Sequence, residues 1–237
     1  MAQIFYTPNI QENLELPAVE AGHCLRVLRM KEGNPITLVD GKGNFYDAEI
    51  DVIRGKRCTV RLLHTHACPN PWSFKVHIAV APTKNMDRME WFAEKATEIG
   101  IDAITCLLCD HSERKVTKNE RLEKIVVSAM KQSQKATIPN LTKEMIAFKD
   151  FVALPFEGKK YIAHCEPDQK TPLTQAYTKG ENALILIGPE GDFSLEEIKI
   201  AIENGFQPIA LGESRLRTET AALMACHILH VVNEIGS

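Results

Sequence analysis

Two strand–turn–helix units near the C-terminus constrain the fold more than any other stretch. Ile187–Ser194 (IGPEGDFS) and Leu211–Ala221 (LGESRLRTETA) each begin where an apolar run ends and lead into a helical pattern. Each carries a Gly where the backbone must turn sharply or approach something closely. Paired units of this kind build a ligand crevice at the carboxyl ends of the strands in open α/β proteins.

The chain that leads up to them alternates in the same way. After Cys68-Pro69-Asn70-Pro71, where two prolines disfavour any regular element, strands are expected at Phe74–Ala81, Ala103–Cys109, Lys160–Cys165, Asn182–Gly188 and Gln207–Leu211. Between and after them, helices are expected at Met86–Gly100, Asn119–Gln134, Ser194–Asn204 and Thr218–Val232. This order predicts a largely parallel sheet covered on both faces. Ser194 and Glu197 have the spacing of a capping box, Phe193 can staple onto Ile198, and Gly205 stands where a helix wants its C′ residue. The first motif is thus fixed between a buried strand and a strong helix start, and Thr218 is expected to cap the last helix.

Residues 1–70 read differently. Ile36–Asp40, Asn44–Ile53 and Arg57–His64 are short β-prone runs between Gly-containing turns, the pattern of a meander or small barrel. A short helix around His23–Lys31 precedes them. The expected division is therefore a β-rich domain over 1–70 and an α/β domain over 71–237.

Composition narrows the class. No run of about 18 apolar residues is present, so no membrane span is expected, and the first residues lack the charged and apolar regions of a secretory signal. Seven Cys, mostly within apolar runs, fit reduced, buried thiols in a cytoplasmic protein. Cys106 and Cys109 have metal-like spacing, but they sit in a strand and no second pair follows, so no metal site is expected. Net charge is −3, yet Arg114–Lys135 holds a run of cations. On charge alone this is a phosphate-binding face or a solvated helix surface.

The motifs exclude one chemistry and leave two readings open. No phosphate-loop lysine follows either Gly turn, and Glu190 and Asp192 would oppose a phosphate. An acidic, Gly-turned loop suits a neutral or cationic ligand, S-adenosylmethionine among them. On the residues alone, the two loops are either ligand loops or well-capped turns.

Ile187-Gly188-Pro189-Glu190-Gly191-Asp192-Phe193-Ser194, together with Leu211-Gly212 and Leu216-Arg217-Thr218-Glu219-Thr220-Ala221, resembles the paired C-terminal signatures of the RsmE family. These are ribosomal RNA uridine-N3 methyltransferases of the SPOUT superfamily. Arg88–Trp91, Glu94–Gly100, Ser112-Glu113-Arg114, Gln132-Ser133 and Pro139 are similar to further family positions, and His23, Val27-Leu28-Arg29 and Gly33 to its N-terminal domain. The chain departs from the pattern at Asp192, where the family has Gly, at Ser214-Arg215, where an Arg-Ile pair is common, and at Gln134-Lys135.

The resemblance implies an α/β SPOUT domain with a C-terminal trefoil knot, preceded by a PUA-like RNA-binding barrel. It implies a homodimeric enzyme that uses S-adenosylmethionine to methylate uracil N3 at one uridine of 16S rRNA, on the assembled 30S subunit. The matching positions imply cofactor contacts from Gly188, Pro189, Glu190 and Gly191, and from Leu211, Gly212, Ser214, Leu216, Thr218 and Ala221. His164, Cys165 and Glu166 would add a third loop. Arg217 is the candidate stabiliser of the uracil anion. Glu219 is a candidate proton acceptor, or a carboxylate that serves the helix start. RNA contacts are expected from Arg26, Arg29 and Lys31, and from Arg114, Lys115 and Lys118. Two rival functions remain: an RNA-binding assembly factor that has lost methyl transfer, and a SPOUT methyltransferase acting on transfer RNA or a ribose hydroxyl.

Overall fold

Apolar side chains alternate along Asn44–Arg54 and Arg57–Ala67, and this period-two pattern folds back on itself as a long antiparallel ladder. The computed structural model describes residues 3–117, 120–167 and 169–235. Its contacts divide the chain into two units. The first takes the residues up to Trp72 together with Val127–Ile138, and the second takes Ser73–Val126 and the chain from Pro139 onward.

In the first unit, β1 (Ile4–Tyr6), β2 (Pro35–Val39), β3 (Asn44–Arg54) and β4 (Arg57–Ala67) form one sheet in that order. The β1–β2 pair is parallel and the other two are antiparallel, so the sheet is mixed rather than a pure meander. Phe5, Leu38, Tyr46, Ile50 and Cys58 are fully buried beneath it. The helix expected at His23–Lys31 begins earlier, as α1 (Ala18–Gly22), and continues as a π-helical turn over His23–Val27. Arg29 then enters the left-handed region at φ 54° and ends it, which period-based reading does not anticipate. Val127–Ile138 adds Met130 and Ala136 to a second small core with Val39. Gly41 is required where this segment meets β2, because a Cβ there would lie 2.9 Å from the Tyr6 ring and 3.1 Å from Ile138.

The second unit alternates β5 (Val76–Val80), α2 (Met86–Ile99), β6 (Ala103–Leu108) and the start of α3 (Glu120–Gln132). Then follow β7 (Asn140–Leu141), β8 (Ile146–Ala147), α4 (Phe148–Val152), β9 (Lys159–Ala163), β10 (Thr171–Pro172) and α5 (Leu173–Ala176). The chain ends with β11 (Ala183–Ile187), α6 (Leu195–Glu203), β12 (Gln207–Ala210) and α7 (Thr218–Glu234). The strands lie in the order β10-β12-β9-β11-β5-β6-β7, with β8 also on β6, and every pairing is parallel. The central strand β11, Ala-Leu-Ile-Leu-Ile, is buried along its whole length, as a strand covered on both faces must be. Register fixes what matters for function. Ala163 at the end of β9 pairs with Ile187 at the end of β11 and with Ile209 near the end of β12. Three neighbouring strands therefore stop at one level, and their following loops emerge side by side.

Candidate active site

The loops after β9, β11 and β12 enclose a cavity of about 620 Å³ and an adjoining one of about 300 Å³. Ala163, Cys165, Asp192, Arg215, Leu216 and Ala221 border both, so the two form one crevice. His164, Glu166, Gly191, Leu211, Gly212 and Ser214 line the larger part, and Gly188, Pro189, Glu190, Arg217 and Thr218 the smaller. Every residue expected to contact the cofactor, with Arg217, is thereby brought to one crevice. No group of three or more His, Cys, Asp and Glu is placed to hold a metal ion among the described residues.

The glycines of the first motif are set by close packing. A Cβ on Gly188 would lie 3.2 Å from the Phe193 ring and backbone nitrogen, and one on Gly191 would lie 3.1 Å from His111. Gly212 instead has a backbone that side chains avoid, at φ 137°. Asp192, standing where the family has Gly, is also left-handed at φ 63°. Its carboxylate accepts from the Cys165 amide at 2.7 Å and from the Phe193 amide at 2.8 Å, tying the first motif to the β9 loop. Cys165 is exposed, yet partial desolvation, then the Asp192 carboxylate, pushes its thiol above its usual range. Lys170 pins the same loop by donating to the carbonyls of His164 at 2.7 Å and Glu166 at 2.6 Å.

The start of α7 differs from expectation. Its N-cap position is Arg217, in extended conformation, and Thr218 is the first helical residue. The buried Thr218 hydroxyl donates to the Gly188 carbonyl at 3.1 Å, so it joins the two motifs rather than capping the helix. Arg217 is exposed at the crevice and makes no ion pair among the described residues. Glu219 does not reach the crevice. It is buried on the α2 side, with Oε1 3.8 Å from Arg88 Nε and Oε2 without a hydrogen-bond partner among the described residues, and it lines a separate hollow with Arg88, Trp91 and Thr220.

The expected RNA contacts fall in several places. Arg26, Arg29 and Lys31 are exposed in the first unit, and Lys115 is exposed in the second. Arg114 is used by the fold: its guanidinium donates to the carbonyls of Thr83 at 3.2 Å and Lys84 at 2.6 Å. Lys118 lies outside the described residues. Sequence reading missed Lys170, which carries no local signal. It noted Arg215 only as a departure, and Asp192 as a departure and an acidic loop residue, although both line the crevice.

Comparison with known proteins finds two family matches along the chain. Residues 70–230 match the RNA methyltransferase domain family, and residues 17–63 match the RNA methyltransferase PUA domain family. The "Ribosomal RNA small subunit methyltransferase E" of Synechocystis is 30% identical over 223 residues, covering 91% of this chain and 72% of that protein. The crystal structure of a "probable rRNA-methyltransferase" from Porphyromonas gingivalis superposes with a TM-score of 0.91 at 44% identity, covering 98% of each chain. That of a ribosomal RNA small subunit methyltransferase E from Neisseria gonorrhoeae, bound to S-adenosyl methionine, gives 0.84 at 29% identity, again over 98% of each. The chain belongs to the RNA methyltransferase family that includes the ribosomal RNA small subunit methyltransferases E.

Proposed function

We propose that this protein transfers a methyl group from S-adenosylmethionine to N3 of one uridine in 16S rRNA. The observation that carries this reading is the single crevice formed where β9, β11 and β12 end in register, bordered by both motif loops. The donor set fits a cationic cofactor carrying an adenine. Ile187, Ile209, Leu216 and Ala221 give apolar surface, and the carboxylates of Glu166, Glu190, Asp192 and Glu213 favour positive charge. Peptide groups around Leu211 and Gly212 offer hydrogen bonds to a base edge. The cofactor, when bound, supplies an electrophilic methyl group.

The protein's own work is then orientation and charge. Uracil N3 must lose its proton to solvent water before it attacks, and negative charge develops on the imide. Arg217, a guanidinium at the crevice that makes no ion pair among the described residues, is positioned to stabilise that charge. Glu219, buried against Arg88, supports a structural role at the start of α7 better than proton transfer. Arg26, Arg29, Lys31 and Lys115 would hold RNA phosphates. In this reading the first unit is the PUA-like RNA-binding domain and the second the SPOUT catalytic domain. The C-terminal knot, the homodimer, the assembled 30S subunit as substrate and a cytoplasmic location go with it.

The test is methyl transfer from labelled S-adenosylmethionine to small ribosomal subunits that lack the modification, with free rRNA and transfer RNA alongside. N3-methyluridine on the subunit, identified by mass spectrometry, is the expected product. Methyl transfer to transfer RNA alone would replace the substrate. Cofactor binding with no transfer to any RNA would leave a binding factor.

A further inference from the structure

The loop after β6 grips the first motif at three points, although none of Asp110 to Arg114 borders the crevice. The loop starts as a closed turn. The Ser112 amide donates to the Cys109 carbonyl at 3.1 Å, and the buried Ser112 hydroxyl accepts from the Cys109 amide at 3.0 Å. Asp110 and His111 therefore stand at the two central positions of a β-turn. Asp110 holds the far end of the motif: its carboxylate accepts from Ser194 at 2.7 Å and its amide donates to Glu197 at 2.9 Å. Arg114 holds the near end by donating to the carbonyls of Thr83 and Lys84, while the Lys84 amide donates to the Glu190 carboxylate at 3.0 Å. His111 lies between these anchors. Its Nδ1 is 3.1 Å from the Gly191 carbonyl oxygen and 3.1 Å from that of Asp192. Both partners only accept, so Nδ1 carries the hydrogen and shares it between them.

Those two carbonyls flank a single Cα, that of Asp192, so one donor fixes the peptide plane on each side of it. The amides of the same two peptides are fixed as well. That of Asp192 donates to the Pro189 carbonyl at 3.0 Å, and that of Phe193 to the Asp192 carboxylate at 2.8 Å. The imidazole thus completes the bonding of a residue held at φ 63°, a region that side chains rarely adopt. The effect reaches the crevice, because Gly191 and Asp192 both line its larger part. The Asp192 carboxylate also ties the motif to the Cys165 amide on the loop after β9. We infer that His111 is a positioning residue for the cofactor. From outside the crevice, it holds the Gly191–Asp192 turn in the form that S-adenosylmethionine meets. This deepens the proposed methyl transfer and rests on it.

Titration calorimetry of the full protein with S-adenosylmethionine is the test. His111→Ala is expected to weaken binding about 3- to 10-fold, the effect of losing one neutral hydrogen bond. His111→Asn places an amide nitrogen close to the position of Nδ1 and is expected to restore most of that loss. His111→Phe keeps a ring and removes the donor, so it repeats the Ala measurement should His111→Ala fold poorly. At saturating cofactor, turnover by each variant is expected within about twofold of wild type, with the loss confined to KM for the cofactor. A merely structural His111 predicts a different result: a lower melting temperature and a reduced binding stoichiometry, with wild-type affinity in the molecules that remain folded. Wild-type affinity in the Ala and Phe variants would overturn the inference, and so would an Asn variant as weak as the Ala variant. If the wild type binds the cofactor and the variants bind it equally well, only the role of His111 falls. If the wild type binds none, the proposed reaction falls and this role with it.

Discussion

Asp192 is one of the positions at which the sequence departs from the pattern it resembles, and its backbone is left-handed. Its φ of 63° is one that glycine adopts freely, and Asp is among the few side chains that tolerate it. In exchange, its carboxylate holds the amides of Cys165 and Phe193. Asp192→Ala would keep the backbone strain and lose both charge-assisted bonds, for a loss of about 3 kcal/mol in stability. Asp192→Gly would lose the bonds but relieve the strain, so its loss is smaller. Cofactor affinity by titration calorimetry should fall in the same order, wild type above Gly above Ala. An Ala variant with wild-type melting and affinity would show that the tie does not hold the crevice. Arg217 makes a sharper prediction. Arg217→Ala should lower turnover by about 100-fold or more while cofactor affinity changes little, since its charge acts on the uracil. Near-normal turnover would remove it from the mechanism. The glycines of the motifs were legible as turn or close-approach positions. Which of the two each one serves was not, because that depends on Phe193 and His111 packing against Gly188 and Gly191.

Elements with strong end signals follow the sequence closely. α6 begins with the capping box of Ser194 and Glu197, and it ends with Gly205 N–H on Ile202 and Phe206 N–H on Ala201, the reciprocal bonds that a left-handed C′ glycine allows. The cap also reaches outward. Ser194 donates to Asp110 at 2.7 Å, and Glu197 accepts from the Asp110 amide at 2.9 Å, which anchors the loop after β6. Ser194→Ala should therefore cost about 1 to 2 kcal/mol, measured by denaturant unfolding, rather than the few tenths of an uncapped surface site. A loss within a few tenths would mean that Asp110 and Glu197 hold the start alone. The first unit was less legible at this scale. Its π-helical turn has no periodic signature, and the parallel β1–β2 pair joins strands that are far apart in sequence. At α7 the threonine signal was read as a cap, but the tertiary bond to Gly188 claimed that hydroxyl.

At the scale of the whole molecule, alternation of strand and helix announced a parallel sheet, but not its order. β11 lies between β9 and β5, so Ala183 pairs with both Lys159 and Val76. No local pattern encodes partners so distant in sequence, although the crevice exists only because that order levels the ends of β9, β11 and β12. The buried sheet leaves one titratable group with a measurable consequence. His77 on β5 shares a hydrogen bond with Thr105 at 2.9 Å and meets the Phe151 ring edge-on at 5.7 Å. Burial there pulls its pKa down to about 4 from the ordinary 6.5. Between these values the unfolded chain takes up a proton that the folded chain refuses, so stability rises with pH and is lost as pH falls from 6.5 toward 4. The full loss from this group is roughly 3 kcal/mol. His77→Gln can keep a hydrogen bond to Thr105 without titrating. Urea unfolding from pH 7 down to pH 4.5 should therefore show a shallower decline for the variant than for the wild type, with the difference opening below about pH 6.5. Parallel declines would mean that folded His77 takes up its proton as readily as the unfolded chain does, and that the sheet around it is more open to water than its packing against Phe151 indicates.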